Sequence, residues 1–490
     1  MSESWTYWVP HFAVLTHALI VIAILVRVIM NRPAPGVALA WSLLVSAIPI
    51  AGLMLYLMIG ERRIGRRRML RLEEMRSDYD ELYDAAIDKG LTQVDWSRHG
   101  RSAREMDRLG RKLVGSPTVQ GSRLHLLDDT RAILRGIVED VDASHTSLLM
   151  EFYIWHEGGL ADEVLEAVIR AAGRGVACRI LVDAVGGRPW WRGDQPRRLR
   201  EAGVDVRPAL PVGLFRTLVG RNDLRLHRKI IVVDAAVAWT GSMNLVDPRF
   251  FKQESGVGQW VDAMLRIEGS AIVPLATTMI GDWIVETDES LADLTGDARL
   301  HLVDPQGSSD VQVIPSGPGE LAADGLLQMF LALAYSAERE LILTTPYLVP
   351  DDALIQALRG AAARGVTVRL IVPEKVDSVL TRYASRSYYD DLLDAGVEIY
   401  LYRGGLLHTK SISADGSRAM FGTVNLDMRS FWLNYEVSMF IYDPQFVQEL
   451  VVLQRSYLGD AVRVDPATWP NRPLAARFVE NTLRLFSPLL

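Results

Sequence analysis

The chain has 490 residues, a net charge of −7 and 49% apolar residues, with a slightly positive mean hydropathy. That length exceeds one ordinary core and implies about two to four domains, and the acidic balance argues against a nucleic-acid partner, which needs a basic field over its phosphates. The single cysteine, Cys178, excludes an intramolecular disulfide and a thiolate metal cluster.

Residues 7–26 and 33–60 carry no formally charged side chain. At 1.5 Å per residue each run can cross a hydrocarbon core of about 30 Å. Asn31-Arg32-Pro33-Ala34-Pro35-Gly36 forms a turn between them, so residues 1–61 are expected to be a transmembrane helical hairpin. Glu3 and the lack of a small-residue cleavage pattern argue against a secretory signal. Arg62, Arg63, Arg66, Arg67, Arg68 and Arg71 follow the second run. By the positive-inside rule they place that end and the rest of the chain in the cytoplasm, and they can also attract anionic headgroups, at roughly 1 kcal/mol each. Trp5, Tyr7 and Trp8 fall where an aromatic belt is expected, Pro49 can kink the second run, and His11 and His17 read as packing residues.

Residues 62–118 are charged and helix-prone, a connector. Beyond about 120, strands and helices alternate and a repeat emerges. The strand 148–153, a helix, Arg174-Gly175-Val176 and the strand 179–182 are matched by 341–347, a helix, Arg364-Gly365-Val366 and 368–372. Ala202-Gly203-Val204 and Ala395-Gly396-Val397 then precede two similar motifs. The expected fold is a duplicated α/β domain with largely parallel sheets, residues 119–305 and 306–490, divided at the loop-like Asp304-Pro305-Gln306-Gly307.

The first motif holds His227, Lys229 and Asp234, then Gly241-Ser242-Met243-Asn244; the second holds His408, Lys410 and Asp415, then Gly422-Thr423-Val424-Asn425. On an extended strand, His227 and Lys229 share a face about 7 Å apart. Asp234 has the opposite parity and reads as a turn residue. Ser242 and Asn244 offer a hydroxyl and an amide on one face. Histidine serves as nucleophile and proton donor near neutrality, and ammonium and amide groups stabilise charge on phosphoryl oxygens. With no cluster of carboxylates or thiolates, the set suits displacement at a phosphodiester without a metal or cofactor.

These two motifs resemble the phospholipase D superfamily, over about residues 120–490. With the N-terminal hairpin, the stretch 244–253, Gln259-Trp260-Val261-Asp262 and Ser487-Pro488-Leu489-Leu490, the chain is similar to bacterial cardiolipin synthases. The resemblance implies two halves about a pseudo-twofold axis with both motifs in one cleft. It implies a phosphohistidine intermediate, with His227 as nucleophile and His408 as general acid and base; sequence symmetry alone does not rank them. Family members carry a Glu about eleven residues after the motif Asn that fixes the imidazole tautomer, which maps to Glu254 for His227 and to Glu436. Arg382 and Arg386, four apart on a helix face, either grip a second phosphate or form a solvated face. Trp190-Trp191 and Leu214-Phe215, beside Arg216 and Arg221, either dip into the interface or pack as loops.

The implied activity joins two phosphatidylglycerols into cardiolipin and glycerol. The implied partners are phosphatidylglycerol, other anionic phospholipids and the bilayer, in a multi-pass protein of the bacterial inner membrane; a homo-oligomer stays open. Hydrolysis, a different alcohol acceptor, a nuclease of the same superfamily and a non-catalytic lipid-binding protein are the rival readings.

Overall fold

The computed structural model describes residues 2–33, 35–61, 66–213, 221–287, 289–290, 294, 302–319 and 324–487. They form two compact units, one of residues 1–67 with 212–224 and one of 68–211 with 225–490.

The first unit contains α1 (Ser2–Met30), α2 (Pro35–Ala47) and α3 (Pro49–Leu55), continued by a π turn over Tyr56–Gly60. The second uncharged run, expected as one span, is therefore divided. Pro49 has no N–H to donate and disfavours helical backbone at Ile48, which lies at φ −137° and ψ 76°. Among the described residues no helix is long and apolar enough to cross a membrane. Ile24, Val28, Val45 and Tyr56 form a small core, whereas Phe12, Leu15, Leu19, Leu43 and Ile50 face outward. Arg27 pairs with Glu61 at 2.5 Å. The belt expected of Trp5, Tyr7 and Trp8 lies outside the described side chains, and Arg62, Arg63, Leu214, Phe215 and Arg216 lie outside the described residues.

The second unit opens with α4 (Arg66–Asp88) and α5 (Gly100–Val114). Arg68, one of the arginines expected to set topology and to attract anionic headgroups, turns inward to Glu286 at 2.5 Å and over the Tyr435 ring. The strands are β1 (Val119–Leu127), β2 (Ser147–Phe152), β3 (Ala177–Asp183), β4 (Asp205–Ala209), β5 (Arg225–Leu226), β6 (Ile230–Val233), β7 (Val237–Gly241), β8 (Trp260–Val261), β9 (Met264–Gly269) and β10 (Ser309–Ser316). They continue with β11 (Glu340–Thr344), β12 (Leu348–Val349), β13 (Thr367–Pro373), β14 (Glu398–Tyr402), β15 (Leu406–Leu407), β16 (Ser411–Ala414), β17 (Arg418–Gly422), β18 (Leu426–Asp427), β19 (Asn434–Ile441) and β20 (Ala461–Arg463).

One sheet runs through both halves in the order β20-β14-β13-β11-β16-β17-β19-β10-β1-β9-β7-β6-β2-β3-β4. Apart from β20 the order reads alike from either end, with the antiparallel pair β1–β10 at its centre. The sheet is mixed, not largely parallel: helical crossovers make β2-β3-β4 and β11-β13-β14 parallel, but β6–β7 and β16–β17 are joined by tight turns that permit only antiparallel pairing. All six positions of β2 are buried, as a strand covered on both faces requires. One core draws on both halves: Leu149, Ile230 and Leu275 pack in the same cluster as Ile342, Phe421 and Leu450.

Candidate active site

His227, Arg228 and Lys229 lie in an irregular segment between β5 and β6, not within a strand as expected, and His408 to Lys410 occupy the matching place between β15 and β16. The reason is a crossover. β5 pairs with β19 of the other half, and β15 pairs with β8 of the first half. Each motif therefore leaves a ladder of the opposite half and enters its own, with the His227 N–H bonded to Tyr435 O at 2.9 Å and the His408 N–H to Val261 O at 2.7 Å. This swap makes one site of the two motifs.

The crossover also decides which carboxylate meets which imidazole. His227 Nδ1 lies 2.8 Å from Glu436 Oε2, and His408 Nδ1 lies 2.6 Å from Asp262 Oδ1. Glu254 does not partner His227: it sits exposed on a single 3₁₀ turn, Gln253–Ser255. Thr423 Oγ1 donates to Glu436 Oε2 at 2.6 Å, and Ser242 Oγ donates to Asp262 Oδ1 at 2.6 Å. Ser242 and Thr423 thus hold the carboxylates. The pairs are equivalent, but Asp262 follows Ser242 by 20 residues whereas Glu436 follows Thr423 by 13. Counting from the motif Asn reaches Glu436 but falls short in the first half, stopping on a surface turn at Glu254. The Asp262 signal was the segment Gln259 to Asp262, where it carried resemblance but no assigned role.

Lys229 Nζ donates to His227 O and Lys410 Nζ to His408 O, each at 2.5 Å, and both lysines are fully buried. Burial first, then the neighbouring charges, set the ionisation of the site. It brings both imidazoles down to about 4, Lys229 to about 8 and Lys410 to about 7. Burial opposes ionisation of Glu436 and Asp262, yet the facing imidazoles and lysines hold both carboxyls below their ordinary range. A neutral imidazole beside an ionised carboxylate keeps its proton on Nδ1, so Nε2 presents a lone pair. The Tyr153 ring lies 5.1 Å from His227 and the Trp260 ring 4.3 Å from His408. The His227 side chain is 10% exposed and that of His408 3%.

Asp234 and Asp415 stand outside this set. Each takes positive φ at the turn after its strand, and its carboxylate accepts backbone N–H groups, from His145, Thr146 and Ser147 for Asp234 and from Glu338, Arg339 and Glu340 for Asp415. Asn244 Oδ1 accepts from the Ile154 N–H, and Asn425 is buried at the matching position of the other half, after β17. Arg386 is bound to Glu480 at 2.7 Å and lies over the Trp469 ring, while Arg382 is exposed on the same small cleft, of about 270 Å³. Trp190 is a core residue, stacked on Trp155 at 4.9 Å; Arg221 pairs with Asp223.

The halves differ beneath the imidazoles. Beside His227, Arg228 bonds Asp282 at 2.5 Å and the carbonyls of Glu436 and Ser316. Glu151, opposite Ile230 in the ladder, is fully buried there, and burial and the Asp282 charge hold its carboxyl well above its ordinary range. Beside His408 the groups are neutral: Thr409 with Tyr457, and Gln454 with Ser411 and Ser413. Among the described residues no group of three or more His, Cys, Asp or Glu is placed to hold a metal ion.

Residues 137–271 and 330–454 match the family described as cardiolipin synthase, PLD-like domain, and residues 19–61 match a phospholipase D-nuclease N-terminal family. The chain is similar to cardiolipin synthase A of Edwardsiella ictaluri, 41% identical with 100% of each chain covered, and to that of Erwinia tasmaniensis, 43% identical with 96% of each covered. Its fold is similar to the crystal structure of phosphatidylserine synthase from Haemophilus influenzae, at a TM-score of 0.59 and 14% identity, covering 79% of this chain and 100% of that one.

Proposed function

We propose the reaction from one premise: the chain belongs to the cardiolipin synthase family of phospholipase D-like proteins. It is a cardiolipin synthase. One phosphatidylglycerol gives its phosphatidyl group to the enzyme and a second accepts it. The observation that carries the mechanism is the crossed pairing, in which each imidazole is oriented by a carboxylate from the other half above a buried lysine.

His227 Nε2 attacks phosphorus; a P–N bond forms as the P–O bond to glycerol breaks. The bound phosphodiester anion raises the proton affinity of the facing His408, which takes up a proton from solvent on Nε2 as the substrate binds and delivers it to the leaving oxygen. The headgroup hydroxyl of the second lipid then gives its proton to His408 Nε2 and attacks phosphorus, so that P–O forms and P–N breaks. The ammonium groups of Lys229 and Lys410 stabilise the phosphoryl oxygens, most strongly where charge develops. The near-closed site disfavours water, and an oriented alcohol reaches effective molarities far above its bulk concentration. The rank of His227 as nucleophile is supported by its greater exposure and by the charged groups beneath it.

The finer localisation, a two-span hairpin in a bacterial inner membrane with the catalytic halves on the cytoplasmic side, is supported by the two uncharged runs, the arginines that follow them and the outward apolar side chains of the first unit.

The test is purified protein in phosphatidylglycerol vesicles with chelator present. Cardiolipin and glycerol are expected in equal amounts, both lost in His227→Ala and His408→Ala. Phosphatidic acid as the sole product would refute transfer, and strict dependence on a divalent ion would refute the metal-free step.

A further inference from the structure

An amphipathic helix ordinarily buries its apolar stripe and turns its charges to water. The last described helix, Leu474–Arg484, does the reverse. Its inward face carries a charged clasp beside the partly buried Leu483: Glu480, 1% exposed, receives Arg386 at 2.7 Å and Arg472 at 3.1 Å, and Arg484 reaches Asp391 at 2.8 Å. Tyr388 and Ser487 close the end of the helix with a hydroxyl pair at 2.9 Å. These bonds fasten it to the helix Val379–Arg386 and the segment after it.

Held by its charges, the helix presents its apolar side to solvent. Leu474, Phe478 and Leu485 lie at i, i+4 and i+11 on one face and are 80%, 73% and 78% exposed. Phe486 continues the patch, and Val379 and Leu380 add to it at the start of the neighbouring helix. Beside it, Lys375 and Arg382 are exposed on the rim of the small cleft. That flank adjoins the chemistry, because Asp377, just before the Ser378 cap of the helix Val379–Arg386, is held by Tyr347 and Lys252 and feels the charge of His408.

We propose that this outward apolar face, with Lys375 and Arg382 at its rim, is a second membrane-docking surface that seats the catalytic unit on an anionic bilayer. It rests on the reading that the substrate is an anionic phospholipid. The occupant follows from the pairing of chemistries: apolar side chains suit the acyl boundary, and the flanking cations suit the headgroup charge above it. Arg386, read from sequence as either a phosphate ligand or part of a solvated face, acts here through Glu480 as the clasp that turns the helix over.

The test uses the full chain in vesicles, with Cys178→Ser as background and a fluorophore at a cysteine introduced by Phe478→Cys or, as a control on the solvated side chain of α5, by Arg101→Cys. Brominated acyl chains are expected to quench the label at 478 but not at 101. Exchange of phosphatidylglycerol for phosphatidylcholine is expected to lower quenching at 478 at least about twofold. Quenching at 478 no greater than at 101, or quenching indifferent to lipid charge, overturns the proposal. Protection of 478 from aqueous iodide without bromolipid quenching also overturns it, since a second copy of the chain then covers the face. The readout needs no turnover. Docking and the assigned reaction therefore fail separately: loss of quenching with cardiolipin still formed sinks only the docking surface.

Discussion

Lys410→Met removes a charge that the reaction needs and the fold resists, so it should separate activity from stability. Burial brings the Lys410 ammonium from its ordinary 10.5 down to about 7. At about 1.4 kcal/mol per unit, holding this group charged at pH 7 costs the folded chain on the order of 4 kcal/mol. Methionine matches the side chain in length and needs no hydration. It leaves His408 O without the donor that Nζ supplies at 2.5 Å, a loss of about 1–3 kcal/mol. The net expectation is a gain of roughly 1–3 kcal/mol at pH 7, a few degrees in Tm, with cardiolipin synthesis reduced at least about 10²-fold.

The sign has a pH signature. Because the folded value lies below the unfolded one, the unfolded chain binds more protons between about 7 and 10.5, and the wild type loses stability as pH falls through that window. The variant's advantage should therefore be largest at pH 7, shrink as pH rises and reverse towards 10.5, where only the lost hydrogen bond of about 1–3 kcal/mol remains. Thermal unfolding of the full chain in lipid nanodiscs, followed by tryptophan fluorescence at several pH values, measures it. A variant that is inactive and also less stable at pH 7, or a difference that does not change with pH, would show that Lys410 is not held at the fold's expense.

With a phosphatidyl donor bearing a nitrophenolate leaving group, which departs without a proton, His408→Asn should still release nitrophenolate in a burst and accumulate phosphoenzyme, whereas His227→Asn should do neither; the reverse pattern exchanges the two roles. Glu254→Ala should keep synthesis within about twofold of wild type, while Glu436→Gln loses about 10- to 100-fold by releasing the His227 tautomer; equal effects would restore Glu254 to the site. Burial and the Asp282 charge hold the Glu151 carboxyl well above its ordinary range, so the unfolded chain ionises first as pH rises and stability is lost above the ordinary carboxyl value of about 4.5. Glu151→Gln should remove that slope, with a Tm advantage that grows as pH rises above about 4.5; a constant or negative difference would mean that the carboxyl is not held above its ordinary range.

Local chemistry was legible along the chain because it repeats. Two imidazole-lysine motifs, the apolar run Ile230 to Val233 and the turn role of Asp234 can each be read from neighbours a few residues away, and the matched helix and strand segments announce the duplication. Residues whose partners come from far along the chain could not be read so. Glu436 meets His227 across 209 positions and Asp262 meets His408 across 146, because the short strands before each motif pair with the opposite half. An extra seven residues between Ser242 and Asp262, relative to Thr423 and Glu436, defeats any count from the motif and strands Glu254 on the surface. Arg68, read in a cluster that sets topology and attracts headgroups, and Arg386, read as a phosphate ligand or a solvated face, carry no mark in sequence of the buried Glu286 or Glu480 that claims each. Sequence by itself therefore determined the two imidazole-lysine motifs and the duplication that carries them, through spacing between near neighbours. Only the tertiary structure decided which of them face each other, because a carboxylate and an imidazole find their register through a sheet shared by both halves.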